Sequence, residues 1–278
     1  PPIVVALLSN RRIFIGLSIL VPIVVVAILG DAIAPYDPTT PHVADRFAGP
    51  GGKFLLGTDH LGRDLLSRVI LGSRTSLVLG FGSTALALLL GVPIGLTAGY
   101  AKGRLDEVLM RTMDIVMSVP TLLLGLLLLV VLPSNILNIV LAIGAVYAPR
   151  IARVTRSATL AVSEEEYVMA AKARGESSPY ILFREILPNV TGPIVVEGSV
   201  RVGYAIMIGT SLSFLGLGAG PPNPDWGFMI STARDYIYTT PWFLIWPSLA
   251  LLLTVMATNL IGDGLRDVLD PRETGDHS

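Results

Sequence analysis

The chain has no cysteine, and only three histidines and three tryptophans among its 278 residues. Without cysteine there is no disulfide framework, no thiolate nucleophile and no sulfur-based metal site. Charge is scarce too: 15% of residues are Asp, Glu, Lys or Arg, and they nearly cancel to a net −1. That balance leaves no basic footprint for nucleic acid. No G-x-x-x-x-G-K-[ST] loop is present to cradle phosphates, and Gly51-Gly52-Lys53-Phe54 lacks the Ser or Thr required after the lysine. Nor does any nucleophile–base constellation stand out of the kind an enzyme needs. What is abundant is apolar surface, at 52% hydrophobic residues and a mean hydropathy of +0.67. This is too apolar for a soluble domain and predicts an all-α polytopic membrane protein.

About 20 apolar residues cross a bilayer core, which predicts about six spans. They fall at 13–34, 76–100, 108–132, 136–150, 193–217 and 242–261. The first is too long, and too poor in a cleavage site, for a removed signal peptide. Lysine and arginine set the orientation. Arg11, Arg12, Lys102, Arg104, Arg111, the run from Arg150 to Arg184, Arg266 and Arg272 share one side. The opposite side has Arg234 and a long first loop carrying Arg46, Lys53, Arg63, Arg68 and Arg74 against four aspartates. The weight of the other loops predicts both termini in the cytoplasm. Gly91, Gly95 and Gly99 on the second span predict close helix packing, with Pro93 placed to kink that span. Asp106, Glu107, Arg111 and Asp114 are spaced for ion pairs along one helix surface.

The long first loop is rich in proline and glycine over 35–54, which predicts irregular chain. Beyond it, Thr58 or Asp59 is placed to cap a short amphipathic helix bearing Leu61, Leu65 and Val69, expected at the external interface before the second span. Inside the fifth span, Glu197 and Arg201 are four apart and suit an intramembrane ion pair, either packing helices or touching cargo. Trp226, Trp242, Trp246, Tyr236 and Tyr238 suit an aromatic belt.

One polar island, 163–189, interrupts the apolar pattern, with five acidic against three basic residues. Ser163 and Glu166 suit a capping box. Gly175 suits a left-handed helix end. Ser178-Pro179 suits a second helix start, which Pro188 is expected to stop. Tyr167, Ala170, Ala171 and Arg174 recur at helical spacing, giving a face of mostly small side chains. A lipid-surface helix would be basic, so the charge points to a docking element for a soluble protein.

The pattern Ala170-Ala171, Gly175, Leu187-Pro188 resembles the signature of ABC importer membrane subunits. Glu166-Tyr167-Val168 and 184–189 resemble the dipeptide/oligopeptide branch, although Met169 and Glu185 depart from the signature. Gly57-Thr58-Asp59, Gly62-Arg63-Asp64 and Ser67-Arg68 resemble its C-type subunit, as do the loop 212–227 and the tail with Asp270-Pro271-Arg272. The resemblance covers 56–272, and the first span matches only in kind.

It implies a type I ABC importer permease fold in the plasma membrane: residues 1–34 with the first span, an external loop 35–75, a core 76–272 holding a cytoplasmic coupling loop 163–190, and a tail 273–278. It implies ATPase coupling through Glu166, Tyr167, Ala170, Ala171, Gly175, Leu187 and Pro188. External contact with a binding protein is expected at Pro222, Asp225 and Trp226. Implied partners are a second homologous permease, ABC ATPase subunits that hold ATP and Mg, and an extracytoplasmic substrate-binding protein; no cofactor is expected on this chain. The implied cargo is di- or oligopeptide, with nickel, haem or glutathione as alternatives. An ion-coupled carrier and an assembly scaffold are the rival classes.

Overall fold

A computed structural model describes residues 9–269, and the regular elements among them are helical. The tail residues Asp270, Pro271 and Arg272, and the segment 273–278, lie outside the described residues. The first helix, α1 (Arg11–Ile33), starts where the Asn10 side chain accepts from the backbone N–H groups of Arg12 and Ile13. Then come α2 (Leu65–Ala101), α3 (Gly103–Ser118), α4 (Thr121–Val131) and α5 (Ile136–Val162). After these follow α6 (Glu166–Ala173), α7 (Ser178–Leu217), α8 (Trp226–Ala233) and α9 (Pro241–Leu269). Five of them are long and apolar enough to cross a membrane, and the pair α3–α4 would make a sixth.

The glycines of α2 set the closest helix contact. A Cβ on Gly91, Gly95 or Gly99 would fall 2.7, 2.6 or 2.7 Å from Cβ of Ile151, Thr155 or Thr159 on α5. Only a bare backbone fits that distance, and in lipid such packing is the main source of helix association. α1 buries Ile13, Gly16, Leu20, Ala27 and Gly30. Gly16 lies against Ala257 and Ile261 of α9, and Gly30 against Ile70 and Leu71 of α2.

Several expectations need correcting. The third span is not one helix: α3 and α4 meet at 88°. Pro120 forces Val119 into extended backbone and ends α3 there. At 11 residues, α4 is about 16 Å long and cannot cross a core of about 30 Å alone. The fourth span continues past Arg150 to Val162. The ion pairs of α3 form across helices rather than along it, Asp106 with Arg156 and Asp114 with Arg153 of α5.

The amphipathic helix of the first loop is capped by Asp64, whose carboxylate accepts from Ser67 N–H at 2.8 Å. It starts at Leu65 and runs through a wide π turn, Val78–Gly82, into the second span instead of standing apart. A separate short helix occurs later, as α8. Residues 35–54 are irregular apart from one 3-10 turn at Val43–Asp45, as the proline content predicts.

Candidate functional site

The polar island forms one end of the bundle. Ser163 does not cap α6: it closes α5, where its Oγ donates to Leu160 O at 3.0 Å and its N–H to Thr159 O at 2.8 Å. Glu165 takes the cap position instead. The reason is that α5 overshoots its expected end and absorbs the serine. The glycine turn behaves as its sequence predicts. Gly175 has φ +79°, its N–H donates to Lys172 O at 3.0 Å, and Glu176 N–H donates back to Ala171 O at 3.2 Å. This paired closure is the Schellman motif, which needs a left-handed residue at that position.

Ser177, rather than Ser178, holds the position before the next helix, without a side-chain capping bond, and Pro188 does not stop that helix. A π turn at Ile181–Ile186 shifts the register so that Leu187 N–H donates to Leu182 O, five residues back. A proline clashes with the carbonyl four residues before it in an α-helix. Widening the preceding turn is how α7 passes through Pro188, and the Asn189 side chain donates to Glu185 O at 2.7 Å.

The two faces of α6 are separated more sharply than its spacing suggested. Val168 and Ala171 are fully buried with Leu96, Ile181, Ile186 and Val190, and Leu187 packs at the edge of that cluster. Glu166, Met169, Ala170 and Ala173 face outward at helical spacing, with Tyr167 and Gly175 also exposed. Ala171 and Leu187 are therefore supports for the loop, while Glu166, Tyr167, Ala170 and Gly175 form its outer surface. Met169 (50% exposed) and Phe183 (58% exposed) join that surface; the sequence reading missed both, and counting positions 166, 169, 170 and 173 would have found Met169. Pro188 is exposed on α7, just past the end of the π segment at Ile186.

Charge orients the loop without burying it. Lys102 pairs with Glu164 and holds that carboxyl below its usual range, chiefly through the hydrogen bond. Lys172 Nζ sits 4.9 Å from the Tyr100 ring centroid, and Arg174 lies 3.6 Å from Glu176 and 3.9 Å from Glu185. Partial burial, then Glu165 and Glu185, push the Tyr167 hydroxyl up.

The other end of the bundle is closed by a buried polar network. The Asp59 carboxylate accepts from Arg63 Nε at 2.7 Å and from the Leu61 and Arg63 N–H groups at 2.8 and 2.9 Å. Arg68, 1% exposed, lies 3.6 Å from it and donates to Pro38 O at 2.7 Å and Pro222 O at 3.4 Å. Trp226 Nε1 donates to Val69 O at 3.0 Å, and Thr75 Oγ1 to Pro224 O at 3.0 Å. Asp225 caps α8, and burial pushes its carboxyl up. Of the three residues expected to meet a binding protein, only Pro222 is exposed. Asp225 and Trp226 are 3% and 1% exposed, because Asp225 caps α8 and Trp226 fastens α8 to α2. Trp226 is likewise core rather than belt.

The Glu197–Arg201 pair forms at 2.6 Å. The Arg201 guanidinium lies 5.7 Å from the Tyr147 centroid and 4.9 Å from that of Tyr204.

Residues 91–275 match the family described as binding-protein-dependent transport system inner membrane component. Residues 4–50 match the N-terminal TM domain of oligopeptide transport permease C, so the likeness extends to the first span as well. A di/tripeptide transport system permease protein of Pseudomonas aeruginosa is 40% identical over 95% of this chain and 89% of its own length. A glutathione transport system permease protein of Pectobacterium atrosepticum is 41% identical over 92% and 85%. A dipeptide transport system permease protein of Haemophilus influenzae is 39% identical over 95% and 92%. Among solved structures, an inward-facing MetNI methionine ABC transporter chain shares the fold, with a TM-score of 0.57 and 19% identity over 72% of this chain and 96% of that one.

Proposed function

The chain belongs to the family of inner membrane components of binding-protein-dependent transport systems, and from that premise we propose that it is the C-type permease subunit of an ATP-driven peptide importer. It is a multi-pass membrane protein with a type I importer fold. In this reading both termini and α6 lie in the cytoplasm of a cell bounded by the plasma membrane. A second homologous permease completes the pathway, ATP and Mg are held by separate ATPase subunits, and an external binding protein delivers di- or oligopeptides. The 41% identity to a glutathione permease fits the alternative cargo, while the di/tripeptide and dipeptide permeases favour the peptide reading.

The observation that carries this reading is the split of α6. Its inner face, Val168 and Ala171, is fixed to the bundle, while its outer face presents Glu166, Met169, Ala170 and Ala173. Small side chains let a partner surface approach closely, and the Gly175 turn fixes where α6 ends. When ATP brings the two ATPase subunits together, a cleft gripping that face would carry α6 with it. Val168, Ala171 and Leu187 would pass the displacement into α2 and α7, exchanging access between the two sides. Such coupling requires the two states to hold ATPase and cargo differently.

Gly175→Trp tests it. A Cβ there meets nothing within 4 Å, so the ring projects into open space on the docking face, but at φ +79° it also strains the turn; Ala170→Arg, on the exposed helical face, is the unstrained companion. Expected are normal insertion and yield, loss of peptide uptake in reconstituted vesicles, and loss of ATPase stimulation by the binding protein. Normal uptake with normal stimulation would remove α6 from the coupling path.

A further inference from the structure

The exposed faces of α1 and α9 are apolar, with Phe14, Val21 and Ile28 on the first and Ile245, Leu249 and Leu252 on the second. Lipid asks for that. α7 differs. Glu197, Arg201, Tyr204 and Ser211 fall on one stripe of it, about a quarter turn round from the buried face of Ile194, Gly198, Val202, Ala205 and Gly209. Charged groups inside a span are costly and face a bundle interior or a wet cavity.

Three features make the stripe more than a packing pair. Arg201 is gripped from two sides by Tyr147 and Tyr204, at 5.7 and 4.9 Å, and Tyr204 keeps 46% of its surface exposed. Arg150 on α5 is exposed and within electrostatic reach of Tyr147, as Arg201 is. Farther along the helix, Met207 and Ser211 open into a crevice of about 410 Å³, lined otherwise by Thr210 and apolar side chains such as Leu122, Phe214 and Leu251. It begins about 9 Å from Arg201 along the helix.

Building on the peptide-permease reading, we propose that Arg201 and Glu197 form a way-station for the termini of a zwitterionic peptide. Arg201 takes the carboxylate, Glu197 takes the ammonium, and the crevice takes an apolar side chain. The planar guanidinium suits a carboxylate through paired hydrogen bonds, and the tyrosine rings hold it in place while Glu197 changes partner.

The test is uptake by the whole complex in vesicles, saturated with dialanine or with its C-terminal amide. The binding protein's own preference cancels in the variant-to-wild-type ratio for each cargo. Arg201→Gln is expected to cut dialanine uptake about tenfold or more, the worth of a charged hydrogen bond, and amide uptake far less. The exchanged variant Glu197→Arg with Arg201→Glu keeps an ion pair but takes the guanidinium from between the two tyrosines, so dialanine uptake should stay low. Equal loss for both cargos, or full recovery in the exchanged variant, would make the pair a helix-packing element and overturn the proposal. Failure of the wild type on both cargos, with its ATPase still stimulated, would overturn the peptide reading itself and the way-station with it.

Discussion

At the end of the bundle holding 35–64 and 218–225, charged side chains are buried and bound to one another and to backbone. At the end holding α6, they stand in the open. Asp59, Arg63 and Arg68 are 0%, 4% and 1% exposed, whereas the pairs Lys102–Glu164 and Arg174–Glu176 are largely exposed. Buried pairs are demanding in geometry and fail badly when one member is lost; exposed pairs contribute little. The first end is thus finished within the chain. The second has a firm inner face and an unfinished outer one, the arrangement of a surface that a partner completes. The remaining basic residues near this end are half-buried or exposed, yet each has a partner. Arg46 donates to His60 O at 2.6 Å, Lys53 pairs with Asp45 at 2.7 Å, and Arg74 reaches Asp31 of α1 at 2.8 Å. They are tied up locally.

The comparison breaks most severely at Asp59. Asp59→Ala leaves Arg63 and Arg68 buried without their carboxylate, and a loss of about 3–5 kcal/mol is expected. Thermal unfolding of the purified protein would read it, and an unchanged midpoint would mean that this end is not held by its ion network. Gly95→Leu comes next, forcing apart two helices whose backbones touch through Thr155. Overpacking of this kind costs about 1–3 kcal/mol, and lower yield of folded protein in mild detergent is the expected sign.

A gentler probe is pH. His60 is stacked between Tyr236 and Phe243, at 6.0 and 5.8 Å. Burial, joined by Arg63, Arg68 and Arg46 and opposed by Asp59, pulls its pKa below 6.5. The unfolded histidine then binds a proton that the folded one refuses, so stability is full above pH 6.5 and falls as pH drops toward the folded pKa. Melting curves between about pH 5 and pH 8 should show this slope, and His60→Gln should flatten it. The α6 end, where charges are exposed, should respond less.

Much of this was legible beforehand because the physics was local. The apolar runs marked the membrane helices, Gly175 marked the left-handed turn, and the glycines at 91, 95 and 99 marked a close helix contact, whose partner the structure supplies as α5. The misses arose where a distant part of the chain decided. Pro188 reads as a stop, yet a π turn carries the helix through it. Asp225 and Trp226 read as loop residues free to meet a partner, but α2, more than a hundred residues earlier, supplies the backbone carbonyl of Val69 that takes Trp226 inward. Helical counting separates Val168 and Ala171 from Met169 and Ala170, but which face turns inward was decided only where Ile181 and Ile186 fold back over one side of α6.

The absence of native cysteine gives the central claim a direct test. Single cysteines at Ala170 on the outer face of α6 and at Tyr238, 99% exposed between α8 and α9, would each carry a short cross-linker in the assembled complex. The account predicts that Ala170→Cys joins the ATPase subunit, and that Tyr238→Cys does not. Cross-linking of the ATPase from Tyr238→Cys, with none from Ala170→Cys, would contradict it.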